Sequence, residues 1–277
     1  MKLRIGTRMS RLAMVQTELV RDMILERFPN AEIEIVPIVT QGDQQLEKSL
    51  TSFGGKGVFT KELEEELLQG NIDMAIHCAK DMPMEFPEGL ALGAVLERAN
   101  AADVLVTLNG FLASHLPAGS IIGTSSLRRE LQIRDRNPQV EIKMVRGNVQ
   151  TRLRKLLEGQ YDGLLLAAAG LERLKIVEPG TAENVKNGDS RLLKLDYREN
   201  PEDEPATLYL EYLDKKQFIP AAGQGILTIE IRRGELGELM QALHDPKAEA
   251  QLRAERDYLT ILGGNCNAWE SPSCSKC

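Results

Sequence analysis

The chain has 277 residues, 42% of them hydrophobic and 27% charged, with a formal net charge of −7. Its apolar content excludes a wholly disordered chain, and its acidity argues against a general nucleic-acid binder or a polybasic membrane-surface protein. No apolar run approaches the ~18 residues of a membrane helix, no apolar stretch follows the basic start (Lys2, Arg4, Arg8, Arg11) as in a signal peptide, and aromatics at 4% are too few for a single-strand platform. A soluble cytoplasmic protein of two or three domains is the expectation, at ~100–200 residues per domain.

In chain order, Leu3 to Ile5 reads as a short strand ended by Gly6. Ser10 opens a helix whose apolar face repeats at Leu12, Val15, Leu19 and Met23. Ile33, Ile35 and Val39 mark a second strand, in which Pro37 points to a sheet edge or a bulge. Gly54-Gly55-Lys56-Gly57 is a flexible loop, and Thr60 caps a helix through Leu63, Leu67 and Leu68 that Gly70 stops. Met74 to Ile76 is a buried strand running into His77-Cys78-Ala79-Lys80-Asp81. The pattern restarts near residue 100. Asp103–Thr107 and Ile121–Ile122 are strands, and Gly123-Thr124-Ser125-Ser126 leads into a helix carrying Arg128 and Arg129. Glu141–Val145 is a strand, Arg146-Gly147-Asn148 leads into a helix to about Glu158, and Leu164–Ala167 is a buried strand. Strands alternating with helices imply βαβ units, mainly parallel sheets and two consecutive α/β lobes. Residues 177–217, rich in Pro, Gly and charge, read as a long exposed excursion with one hairpin near Leu208–Leu213. A strand over Ile226–Ile231 and helices at about Leu236–Leu243 and Ala248–Leu262 follow.

Cys78 stands alone, while Cys266, Cys274 and Cys277 crowd into the last twelve residues. Four cysteines in a chain of this length make no disulfide framework. The C-x7-C-x2-C tail lacks a nearby His and signals zinc only weakly, so no metal is expected.

Charge is unevenly spread. Thr124–Ile176 holds eleven Arg and Lys against six Asp and Glu, a local excess of five positive charges. The arginines follow strand ends, where open α/β sheets bind ligands and helix N-termini offer free N–H groups. Guanidinium forks there suit carboxylates, so a polyanionic ligand is expected rather than a merely solvated basic face. The first lobe adds Arg8, Ser10, Lys56, Lys61 and the pair Lys80-Asp81 at the end of an apolar strand. A carboxylate so placed could act as general acid/base or as counter-ion to a cationic intermediate. His77, at the end of a buried strand, is read as a hydrogen-bonded structural residue.

Taken together, Gly54-Gly-Lys-Gly, Asp73-Met-Ala-Ile-His-Cys-Ala-Lys-Asp-Met-Pro, Gly123-Thr-Ser-Ser-Leu-Arg-Arg, Arg146-Gly-Asn-Val and Pro220-Ala-Ala-Gly-Gln-Gly resemble the signature segments of the porphobilinogen deaminase (hydroxymethylbilane synthase) family, in its order and nearly its spacing. The resemblance covers the chain to about Ala268, apart from 177–217. It implies an α/β fold of two periplasmic-binding-protein-like lobes with the active site between them, plus a small α+β third domain. On this chain these correspond to 1–97 with 219–234, to 98–218 with an insertion at about 177–217, and to 235–277. It implies a transferase that condenses four porphobilinogen molecules head to tail onto a dipyrromethane cofactor, losing ammonia each time. Asp81 would be catalytic, stabilising the cationic methylene-pyrrole left when ammonia departs. Cys266 would carry the dipyrromethane through a thioether, and Lys56, Cys78, Lys80, Thr124, Ser126, Arg128, Arg129 and Arg146 would bind it. Arg8, Ser10, Lys61, Arg152 and Arg173 would bind substrate. A cytoplasmic monomer with no nucleic-acid or membrane partner is implied. Three departures stand out: Cys78 where the family has Ser, Asn265 where it has Gly, and a sequence after Ala268 that leaves the family pattern, so that the third domain is expected to be truncated. That tail keeps a second reading open, a non-catalytic two-lobed anion-binding protein. A transcriptional regulator's ligand-binding lobes would share the fold, but the chain carries no helix-turn-helix pattern.

Overall fold

The computed structural model describes residues 1–40, 60–181 and 192–262. Contacts divide the chain into two compact units, Met1–Ala99 with Ala222–Cys277, and Asn100–Ala221. The elements in chain order begin with β1 (Lys2–Arg8), α1 (Arg11–Arg27), β2 (Glu32–Ile38), α2 (Lys61–Leu68), β3 (Met74–Cys78) and β4 (Leu90–Val95). The second unit holds β5 (Asp103–Thr107), β6 (Ile121–Gly123), α3 (Leu127–Arg136), β7 (Glu141–Lys143), α4 (Val149–Leu157), β8 (Gly163–Ala167), α5 (Ala168–Arg173), β9 (Leu192–Tyr197) and β10 (Ala206–Tyr212). The chain then returns to the first unit with β11 (Leu227–Arg232), α6 (Gly237–Leu243) and α7 (Pro246–Ile261). Among the described residues no helix is long and apolar enough to cross a membrane.

The first sheet has the order β2-β1-β3-β11-β4. β1 runs parallel to β2 and β3, whereas β11 is antiparallel to both its neighbours. Pro37, opposite Thr7, lies in edge strand β2, where its missing N–H costs no ladder bond. The second sheet has the order β7-β6-β8-β5-β10-β9. β7, β6 and β8 are parallel, while β5 and β10 alternate in direction with their neighbours. Both sheets are therefore mixed, not mainly parallel as the strand–helix alternation suggested. The reason lies in where the chain enters each sheet. β5 begins opposite Ala167, the last residue of β8, and β11 begins opposite Cys78, the last residue of β3. Each starts where its neighbour ends, and an apolar run reads the same in either direction.

Within 177–217, the described residues Leu192–Tyr197 and Ala206–Tyr212 are likewise paired strands rather than an exposed excursion. β9 and β10 pair from Ala206↔Tyr197 to Glu211↔Leu192, and β10 lies against β5. Leu208 and Leu210 are buried in the core with Val104, Val106, Leu164 and Leu166. The alternation over Leu208, Leu210 and Tyr212 was too short, among so many charges, to outweigh a loop reading. The first unit's core gathers Leu3, Ile5, Val20, Ile24, Met74, Ile229 and, from α6, Leu239, Met240 and Leu243. Ala248 and Leu252 of α7 pack with Ala79, Val95 and Ile226, so this part of 235–277 is built onto the first unit.

Candidate active site

In the first unit the parallel pairing Ile5↔Met74 and Gly6↔Ala75 brings the carboxyl ends of β1 and β3 to one sheet edge. Arg8 ends β1, and Ser10 caps α1 by accepting the Ala13 N–H at 3.3 Å. Beside them, β3 runs into a single 3₁₀ turn, Ala79–Asp81. Ala79 is buried and donates its N–H to the Ile226 carbonyl at 3.0 Å, while Lys80 is half-buried and Asp81 exposed. The turn is pinned from behind and presents Asp81 to solvent. Gly223 makes this possible: it has φ +71°, and a Cβ there would sit 2.9 Å from the Ala79 side chain. Gln16 Nε2 lies 3.3 Å from Cys78 Sγ. His77 Nε2 lies 2.9 Å from Glu230 Oε2 inside the core, the structural role expected of it. Lys61 opens α2 and pairs with Glu65 at 3.8 Å.

In the second unit β6, β7 and β8 end side by side. Thr124 donates its N–H to the Lys143 carbonyl at 3.1 Å and accepts the Ser126 N–H at 3.1 Å. Ser126 stands at the N-cap of α3 without a side-chain cap bond. Asn148, which the motif reading left without a role, caps α4 by accepting the Thr151 N–H at 2.8 Å. Gly147, before it, has φ +108°. Arg152 Nε donates to the Gly147 carbonyl at 2.8 Å, and half-buried Arg146 places Nε 3.5 Å from Met144 Sδ. Arg173 closes α5, which starts directly after β8. One edge thus collects two hydroxyls, two helix N-termini and a run of guanidinium groups, and that donor set fits a group bearing several carboxylates.

Arg128 and Arg129 behave differently from the open forks their position suggested. Both bind Asp103, Arg128 Nη1 at 2.7 Å and Arg129 Nη2 at 2.7 Å, and their side chains are only 10% and 8% exposed. Asp103 itself was read only as the start of a strand; an acid opening the apolar run Val104–Val106 was the available signal. Lys56, Cys266, Cys274 and Cys277 lie outside the described residues.

Comparison with known proteins gives this arrangement its family. A family model described as porphobilinogen deaminase, dipyromethane cofactor binding domain, matches residues 3–238. Porphobilinogen deaminase from Chromobacterium violaceum is 44% identical over 267 residues, covering 96% of this chain and 77% of that protein. The enzyme of the same name from Neisseria meningitidis serogroup A is 41% identical over 277 residues, covering 99% of this chain and 80% of that one. Among solved structures, the periplasmic VFT2 domain of Bordetella pertussis BvgS is similar at 15% identity and a TM-score of 0.45, over 93% of this chain and 92% of that one. On the match to the family model and the identity to these relatives, the chain belongs to the porphobilinogen deaminase family.

Proposed function

We propose that this protein is a hydroxymethylbilane synthase, a transferase of tetrapyrrole biosynthesis that joins four porphobilinogen molecules head to tail with loss of ammonia at each step. The observation that carries the reading is the pinned Ala79–Asp81 turn, which offers a lysine and a solvent-facing carboxylate at one sheet edge within a family match spanning residues 3–238. Dipyrromethane, held through a thioether to Cys266, supplies the primer pyrrole to which the first substrate is joined. Lys56, Cys78, Lys80, Thr124, Ser126, Arg128 and Arg146 would bind its carboxylates. Arg129, whose fork meets protein acceptors, contributes charge more than contact. Arg8, Ser10, Lys61, Arg152 and Arg173 bind substrate carboxylates. Asp81 accepts pyrrole N–H bonds and offsets positive charge as ammonia leaves. The division into two lobes and a cofactor-bearing segment over 235–277, a monomeric state, a cytoplasmic location and the absence of nucleic-acid partners belong to the same proposal.

The intact mass of the full chain, expressed with porphobilinogen available, tests it. The expected result is a dipyrromethane adduct and colour with Ehrlich's reagent, both lost in Cys266→Ser and kept in Cys274→Ser and Cys277→Ser. Adduct-free wild-type protein overturns the reading.

A further inference from the structure

Three titratable side chains gather between α2 and the first sheet, apart from the residues of the candidate active site. Glu230 and His77 are buried, and Glu64 of α2 is only 9% exposed. Glu230 pairs with Ala75, which packs with Leu63 and Leu67 of α2, and His77 stands two residues further along β3. Residues two apart share a strand face, so Glu230 and His77 both face the helix. Glu64 lies within electrostatic reach of both.

The hydrogen bonds of this group are incomplete. Glu230 Oε2 lies 2.9 Å from His77 Nε2, but Glu230 Oε1 and Glu64 Oε1 are buried acceptors that receive no donor. Two ionised carboxylates stranded in this way are costly; a proton on one removes a desolvated charge and supplies a donor. Glu230 has the imidazole as partner and Glu64 has no base, so the proton belongs on Glu64.

The other charged groups around α2 are few among the described residues. Glu62 stands on the helix itself. On β1, Arg8 shares the face of Gly6, where an added Cβ would lie 3.1 Å from Leu63. On β11, Arg232 Nη1 donates to the Leu67 and Ile72 carbonyls at 2.7 Å each, at the far end of the helix, beside Asp73 and Arg4. β4 brings no titratable side chain. Burial lifts Glu64 above the usual carboxylate value; the Thr60 hydroxyl and His77 oppose this, while Glu230 and Glu62 add to it.

We propose that Glu64 docks α2 as a neutral carboxylic acid and is the pH-sensitive fastener of that helix: losing its proton beside Glu230 loosens α2, and with it Lys61 at its first position, from the sheet. A raised carboxyl favours the docked state below its undocked pKa and loses that contribution as pH rises through the docked value.

Amide hydrogen exchange of the full chain, corrected for the intrinsic pH dependence of exchange, tests this without substrate or turnover. In wild type, protection of the α2 amides is expected to fall as pH rises above 4.5. The fall should reach up to about tenfold per pH unit, the limit for one proton, and level off once Glu64 is ionised. Protection in α1 should hold within about twofold, as for a local opening. Glu64→Gln, uncharged at every pH, should keep α2 protection flat within about twofold over the same range. Flat protection in wild type overturns the inference. So does a fall that Glu64→Gln shares, which would assign the change to another group such as His77, or one that α1 shares equally, which would be unfolding of the whole unit. If Glu64→Gln does not fold, the Cδ resonance of Glu64 in carbon-13-labelled wild type decides. Titration above 4.5 in step with α2 protection supports the proposal, and titration at or below 4.5 overturns it.

Discussion

At the scale of single residues, the exposed Asp81 and the buried Glu230 have opposite tasks. Asp81 is exposed on a turn anchored by the buried Ala79, so changing it disturbs no packing. Asp81→Asn is expected to melt with the wild type and to keep its covalent adduct. Its turnover should fall about 10²–10³-fold, the usual size of a lost preorganised electrostatic contact. Steady-state kinetics beside intact mass will show it, and turnover within twofold of wild type would remove Asp81 from the mechanism. Glu230 is fully buried, with His77 as its hydrogen-bond partner at 2.9 Å. His77→Leu keeps the bulk but strands that carboxyl group, which should lower stability by about 1–3 kcal/mol in denaturant titration. Turnover per folded molecule should change little.

At the scale of elements, the site depends on how helices begin. The Arg146-Gly147-Asn148 segment changes direction because Gly147 adopts φ +108°, where a Cβ would meet Thr151 at 2.7 Å. Asn148 then caps α4, and the Gly147 carbonyl receives Arg152 Nε. Asn148→Ala removes the cap alone and should cost about 0.5–2 kcal/mol of stability. Gly147→Ala adds backbone strain to a steric clash, should cost more than about 1 kcal/mol, and also moves the Arg152 acceptor. Porphobilinogen affinity should therefore fall in Gly147→Ala more than in Asn148→Ala at matched folded fraction. Equal affinities would separate the turn from the binding of substrate.

For the whole molecule, two carboxylates, one in each unit, make stability respond to pH in opposite senses. In the first, burial alone would raise Asp73, but the Arg4 side chain and N–H, with Arg232, outweigh it and hold its pKa below 3.8. A depressed carboxylate contributes stability above its unfolded pKa and loses it as pH falls through the folded value. Asp73→Asn should thus be less stable than wild type at neutral pH, with the gap closing only below pH 3.8. In the second unit, burial raises Glu172 above 4.5 despite its bond from Asn100. A raised carboxylate favours the fold below its unfolded pKa and loses that contribution as pH rises through the folded value. Glu172→Gln should therefore gain on wild type as pH climbs above 4.5 and show no gain below it. Melting curves across that range check both signs.

Local chemistry was legible in the sequence because it is written over a few adjacent residues. Ser10 before an apolar stripe predicted the cap of α1, Pro37 predicted the edge strand, and Gly-Thr-Ser-Ser and Arg-Gly-Asn before helical patterns predicted polar strand ends. Those features marked a polyanion site, and the order of five such segments carried the family. Strand direction was not legible, because a buried apolar run lacks polarity; only the chain's entry beside the ends of β8 and β3 turned β5 and β11 around. The fates of Arg128 and Arg129 were hidden for a related reason. A guanidinium at a helix start can face a ligand or the core, and which it does depends on an acid twenty-five residues away from Arg128 in sequence. The pairing of β5 with β8 sets Asp103 beside those arginines, so tertiary structure alone decided that both are tied to the fold through one buried carboxylate.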